Sequence, residues 1–530
     1  MVLRGGRVSL GSVIDGLNRG VEGALASVSE ALMEPVIRLG VTGLAGAGKT
    51  VFITGLVANL LDRGRMPQLR AAADGRIAAV FLQPQPDVTL PRFDYEGHLA
   101  ALTGPPTGEE PRWPASTRAL SELRLSFRTR PTGLLGALRG PRTLHLDIID
   151  YPGEWLLDLA LLGKSYADWS EETLTRLTRR AEAADYIATA RAEDGSLRLD
   201  EGRAQALAAR FTAYLAAARA AGWSDCTPGR FLLPGDLAGS PVLTFAPLPR
   251  PATTARHSLW REMERRYEAY KSRVVKPFFR DHFARIDRQI VLVDALGAIH
   301  AGPQALEDLR RTMADILAAF RPGRNRFLAE LLLGKRVEKI LFAATKADHL
   351  HHKQHPQLTA IMQAMTREAR DRAAFAGAQV EAMSLAGLRA TVEETVQRDG
   401  VRFDCVRGRL LSTGRQAAMY PGELPADPAR LLSFARESAA RDGVRFDCVR
   451  GRLLSTGRQA AMYPGELPAD PARLLSFARE SAARDGALRW LDADFALMAF
   501  APARLTLKPG EGPPHIRLDR AAEFLIGDRL

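Results

Sequence analysis

Residues 43–50 read GLAGAGKT, a G-x-x-x-x-G-K-T loop with Gly43, Gly48, Lys49 and Thr50 in place. An apolar run, VIRLGVT, leads in and a helical stretch, VFITGLVANLLDRG, leads out, so the loop is expected to join a strand to a helix N-terminus. Phosphate binding needs that context. Glycines let the backbone curl until successive N–H groups face one anion, and the helix start adds positive potential. The expected cradle runs through Gly43, Ala45, Gly46, Ala47, Gly48 and Val51. Lys49 is the expected cation for the terminal phosphates, and the Thr50 hydroxyl the expected magnesium ligand.

Short β-branched runs at 36–42, 77–82, 123–127, 144–149, 289–293, 339–343, 380–383 and 495–500 alternate with longer helical stretches. This rhythm predicts an α/β fold around a largely parallel sheet. The chain divides into an N-terminal amphipathic helix at 1–32, a first core part with a Pro-rich insertion at 33–157, and a mostly helical insertion at 158–288. A second core part with base-recognition loops follows at 289–397. Residues 398–440 then recur unchanged at 441–483, and 484–530 complete the core. Repeat folds need about three or more copies, which normally diverge, so only one copy is expected to belong to the fold.

A strand-end carboxylate must accompany the loop, and LHLDIIDYPGEW supplies Asp150 with Gly153 at D-x-x-G spacing. In a nucleotide switch the carboxylate holds magnesium and the glycine N–H senses the γ-phosphate. Asp294, at the end of QIVLVD, is the competing metal carboxylate, as in an ATP-dependent enzyme such as a kinase. The base is addressed by TKAD at 345–348, after the apolar run KILFAA. Asp348 can accept from guanine N1–H and the exocyclic amine, Lys346 can lie along the purine, and Thr345 starts the loop. Ser384, Leu385 and Ala386 follow the next strand, where backbone N–H groups would meet the base O6.

The order of P-loop, DYPGEW and TKAD resembles the YcjX-like family of bacterial P-loop GTPases, a family linked to stress responses. Supporting stretches are RWPASTRALSELRL, VVKPFFRDHFARIDRQIVLVD, TKADHLHH and the terminal LDRAAEFLIGDRL. The resemblance implies a P-loop NTPase with a mostly parallel Ras-like core, a large helical insertion, and guanine nucleotide (GTP or GDP) with Mg2+ as ligands. Glu154 stands where many such proteins carry a water-orienting glutamine, so slow hydrolysis is expected, with a GDP-binding scaffold as a further alternative. Thr117 is the expected first-switch threonine, and Arg118 beside it an arginine-finger candidate.

The formal charge of +12 reads first as a solvated surface, since basic and acidic residues alternate at helical spacing, with a protein partner or peripheral contact with the inner membrane surface as the functional alternative. Nucleic acid is not expected, because no binding motif accompanies the charge. Three cysteines, Cys226, Cys405 and Cys448, offer no disulfide framework, and no long apolar run or secretory signal is seen, which together read as cytoplasmic. His351 and His355, at i and i+4, have the spacing of a metal pair but no third ligand in view; a solvated helix start is the plainer reading.

Overall fold

The computed structural model describes residues 34–44, 46–104, 108–115, 119–130, 141–319, 337–375, 378–398, 401–420, 424, 427–429, 450–452, 459–461 and 499–530. The helix expected at 1–32, Ala45, Thr117, Arg118 and Cys448 lie outside them, as do residues 495–498 of the last expected strand.

A seven-stranded sheet forms from β1 (Val36–Gly43), β2 (Ile77–Gln83), β3 (Ser121–Thr129), β4 (Arg142–Asp150), β5 (Arg288–Val293), β6 (Lys339–Ala344) and β7 (Gln379–Ser384), in the order β2-β3-β4-β1-β5-β6-β7. From β4 to β7 every neighbouring pair is parallel, while β2–β3 and β3–β4 are antiparallel. Central parallel strands are covered on both faces, and their residues alternate between the two cores. Thus Leu341 and Ala343 of β6 join the face packed by the helix Lys49–Leu61 and the C-terminal helix Leu518–Ile526, whereas Ile340 and Phe342 join the opposite core.

That opposite core continues into residues 158–288. Here Ser165, Asp200 and Ser258 cap the helices Tyr166–Leu177, Glu201–Ala220 and Leu259–Tyr270 by accepting third-residue N–H groups. Trp169 sits at the centre, stacked on Tyr267 with ring centroids 5.0 Å apart and edge-on to Phe245 and Phe211. Buried Arg180 ties this segment to the sheet's helix Pro303–Ala319 by donating to Asp308 Oδ1 at 2.7 Å. Desolvating such a guanidinium demands full pairing, and Tyr214 and the Asp225 carbonyl accept its other protons.

A second, antiparallel sheet joins β8 (Val392–Arg398), β9 (Val401–Leu410), β10 (Gln416–Met419) and β13 (Phe500–Ala501). Strands β9 and β10 belong to the first copy of the duplication. In the second copy, β11 (Arg450–Arg452) and β12 (Gln459–Ala461) form a separate two-stranded sheet. Gln416 faces Arg409 in one hairpin and Gln459 faces Arg452 in the other, the same register 43 residues on. Among the described residues no helix is long and apolar enough to cross a membrane.

Candidate functional site

Strand β1 runs between β4 and β5, and its C-terminal end opens into the P-loop where the two neighbours diverge, the usual place for a ligand in an open α/β sheet. Gly46 and Gly48 have φ of 75° and 73°, a left-handed backbone that glycine adopts without penalty. No heavy atom lies within 4 Å of where a Cβ would stand on either. The helix that follows has no side-chain cap, so its first N–H groups are available to an anion. This open cradle fits a phosphate chain.

Lys49 is buried, and its Nζ donates to Asp150 Oδ1. Burial pushes the ammonium below the ordinary lysine range, and the charges of Asp150 and Glu154 oppose that shift. Thr50 and Asp150, both buried, supply the hydroxyl and carboxylate oxygens that suit a small hard cation such as Mg2+. Gly153 backs directly onto the loop: a Cβ there would fall 2.2 Å from the Gly43 carbonyl oxygen. Any side chain would force the two segments apart.

Glu154 is 6% exposed, and Oε1 lies 3.2 Å from the Arg219 guanidinium, which comes from the last turn of the helix Glu201–Ala220. Its carbonyl is pressed against Gly229, where a Cβ would lie 2.2 Å away. Trp155 donates from Nε1 to the Leu233 carbonyl at 3.2 Å, and Arg230 stacks 3.3 Å from the centre of its ring. The segment after D-x-x-G is therefore sheathed by residues 219–233.

At the other end, Thr345 donates its N–H to the Val293 carbonyl at 2.9 Å. Lys346 takes φ 59° and pairs with Asp294, whose Oδ1 also caps Gly297 N–H at 2.8 Å. Asp294 is thus engaged with the base-loop lysine, and the P-loop lysine takes Asp150. Asp348 is 5% exposed, and Oδ2 accepts from Ala390 N–H at 3.0 Å. Its carbonyl accepts from the Thr391 hydroxyl. His355 braces the loop, with Nε2 2.8 Å from the Ala347 carbonyl.

The segment expected to face the base O6 is arranged differently. Ser384 N–H donates to Thr359 Oγ1, Leu385 N–H to the Ala344 carbonyl and Ala386 N–H to the Ile516 carbonyl, at 3.1, 2.8 and 3.0 Å. Those three donors are consumed by the helix His355–Phe375, by β6 and by the C-terminal segment. The Ser384 hydroxyl instead accepts from Arg517 at 2.6 Å. His355 is likewise spoken for and does not join His351 as a pair. Arg219, Arg230 and Arg517 were not legible as site residues, since each acts across a long sequence separation and no local motif surrounds it.

The YcjX-like family, DUF463, matches residues 37–442 and 429–530. The chain is similar to a protein of Escherichia coli strain K12 named "Ras-like GTPase YcjX", 36% identical over 509 residues that cover 93% of this chain and 96% of that protein. It is also similar to a protein of the same name from Shewanella oneidensis strain MR-1, 36% identical over 414 residues, covering 73% and 84%.

Proposed function

Because the chain belongs to the YcjX-like family, we propose that it binds guanine nucleotide and hydrolyses GTP slowly with Mg2+, as a nucleotide switch serving a bacterial stress response. The stress role follows from the family resemblance. The observation that carries the biochemical reading is the contact of Gly153 with the Gly43 carbonyl beside the Lys49–Asp150 pair. The residues expected to sense a γ-phosphate touch the loop expected to hold it.

On this reading Lys49 leaves Asp150 for the terminal phosphates, and Thr50 and Asp150 hold the metal. Mg2+ supplies charge neutralisation on the phosphate oxygens. Gly153 presents its N–H to the γ-phosphate, and any movement of that glycine is transmitted through Glu154 and Trp155 to residues 219–233. The helical stretch 158–288 is then the part of the molecule that reports the nucleotide state. Asp348 and Lys346 select guanine.

Binding of GDP, GTP, ADP and ATP to the purified chain tests this, beside Asp348→Asn challenged with xanthosine nucleotides. A guanine preference that moves to xanthine in the variant is the expected result, because an amide presents a donor where the carboxylate accepts. Preference for adenine, or indifference to the substitution, would overturn the reading. The Glu154–Arg219 pair favours one other reading, a GDP-bound scaffold that does not cycle, since it occupies the side chain expected to orient water. Single-turnover GTP hydrolysis separates the two.

A further inference from the structure

The motif HLHHKQH was left over from the nucleotide site, and the structure regroups its histidines. His351 Nε2, His352 Nδ1 and a Glu393 carboxylate oxygen lie within 4.8 Å of one another. His352 Nδ1 is 2.5 Å and His351 Nε2 3.7 Å from Glu393 Oε2, and His351 Nε2 is 4.0 Å from Asp404 Oδ1. We propose that His351, His352 and Glu393, with Asp404 as a fourth donor, form a binding site for a divalent transition-metal ion of the zinc class.

The donors come from three parts of the chain. The histidines lie in the turn after TKAD, Glu393 on β8 and Asp404 on β9. Strand register explains the two carboxylates: Thr395 faces Asp404 and Glu393 faces Val406. Glu393 lies two residues from Thr395, so the period of two places Glu393 and Asp404 diagonally on one face of the ladder. That face meets the histidine turn. Two imidazoles and two carboxylates are a donor set for zinc, with bonds of about 2.0–2.2 Å and tetrahedral neighbours about 3.3 Å apart. The histidine–carboxylate separations of 2.5, 3.7 and 4.0 Å bracket that spacing.

His351 is only 5% exposed, so a donor with little access to water is already in place. Each carboxylate also gives its other oxygen to a base, Glu393 Oε1 to Arg389 at 3.2 Å and Asp404 Oδ2 to Lys353 at 2.7 Å. These contacts orient the inner oxygens, in the manner of outer partners at metal centres. The arrangement that competes with an ion is the direct hydrogen bond between His352 and Glu393, together with two neighbouring contacts. His351 Nδ1 lies 3.5 Å from Lys353 N–H, and Thr395 donates to Asp404 Oδ1 at 3.1 Å. Metal at Nε2 requires the Nδ1 proton, so that long contact must open.

The location gives the ion a consequence. Ala390 and Thr391, which hold Asp348, stand immediately before β8. An ion clamping β8 to the turn would fix both sides of the loop assigned to the base. This consequence rests on the guanine reading, whereas the site itself does not.

The test is equilibrium dialysis of the chelator-treated full chain against Zn2+ alone, with Co2+ absorption as a reporter of tetrahedral coordination. We expect one ion per chain and a loss of affinity of about tenfold or more in Glu393→Gln and in His351→Ala. His257→Ala, an exposed histidine outside the cluster, should bind as the wild type does. Glu393→Gln keeps the side-chain shape, so a folding defect in His351→Ala leaves the test intact. No stoichiometric uptake, or uptake that Glu393→Gln leaves unchanged, overturns the site. Guanine-nucleotide binding is measured separately, so failure of one does not disguise failure of the other.

Discussion

Arg219 sets the electrostatics around Glu154. A buried carboxylate next to the phosphate loop would repel a γ-phosphate, and a guanidinium 3.2 Å away offsets that charge. Arg219→Ala is therefore expected to slow single-turnover GTP hydrolysis by about tenfold or more, with GDP affinity nearly unchanged, and Arg219→Lys to recover part of the loss. Equal rates in wild type and Arg219→Ala would show that the pair only packs. The residues the sequence singles out are those whose chemistry is contiguous: the P-loop, D-x-x-G and TKAD each carry donor, spacing and backbone conformation within a few positions. Arg219 was not legible, because its partner lies 65 positions earlier and nothing in LAAARAAG distinguishes one solvent-side arginine from another. Ser384 and Leu385, expected to face the base O6, donate their N–H groups within the fold. Their N–H groups sit at the end of β7, where a neighbouring strand and helix compete for the same donors.

At the scale of elements, the segment Gly153–Leu157 and the turn that continues from it to Gly163 are held from one side by the helical stretch. Asp158 is buried within that contact. Its Oδ1 accepts from Gly229 N–H at 2.8 Å and its Oδ2 from the Tyr270 hydroxyl. Burial nevertheless raises the carboxyl to about 7, against the pull of those two donors and Arg230. The unfolded chain holds this proton only below about pH 4, so the folded state binds more protons between the two values. The stability from this group is full below about pH 4 and is lost as pH rises through about 7. Asp158→Asn keeps an acceptor for Gly229 and removes the titration. Its urea midpoint should thus fall less than the wild type's between pH 5 and pH 8; identical pH dependence would refute the assignment. The strand starts were read to within two residues in the main sheet, because short β-branched apolar runs set off from longer helical stretches mark them. The partners of Asp158, Gly229 and Tyr270, were not legible, since no periodicity encodes which distant N–H and hydroxyl meet a buried carboxylate.

Across the whole molecule, the second sheet contacts the segment at 111–113 and adjoins the loop that carries Asp348. Trp113 donates to the Phe500 carbonyl at 2.7 Å, and Arg409 to the Pro111 carbonyl at 2.9 Å, while Ala390 and Thr391, which hold Asp348, lead directly into β8. This sheet is also where the duplication falls. Since the copies are identical, removing either one yields the same polypeptide, and the intact chain must select which copy lies between β8 and β13. Using the first copy leaves β8 and β9 joined by a tight connection and requires one long closure before β13; using the second requires two long closures. Loop entropy then favours the first by about 2 kcal/mol, in agreement with the pairing of Phe500 with Leu410. The other hairpin, β11–β12, is an isolated two-stranded unit of a kind that contributes little stability in water. Deleting 441–483 shortens the connection from β10 to β13 by about half, a gain of only about 0.6 kcal/mol. The deletion variant should therefore melt within a few degrees of the full chain and retain its nucleotide affinity. A large fall in melting temperature, measured by calorimetry, would mean that the second copy packs against the fold and has become part of it.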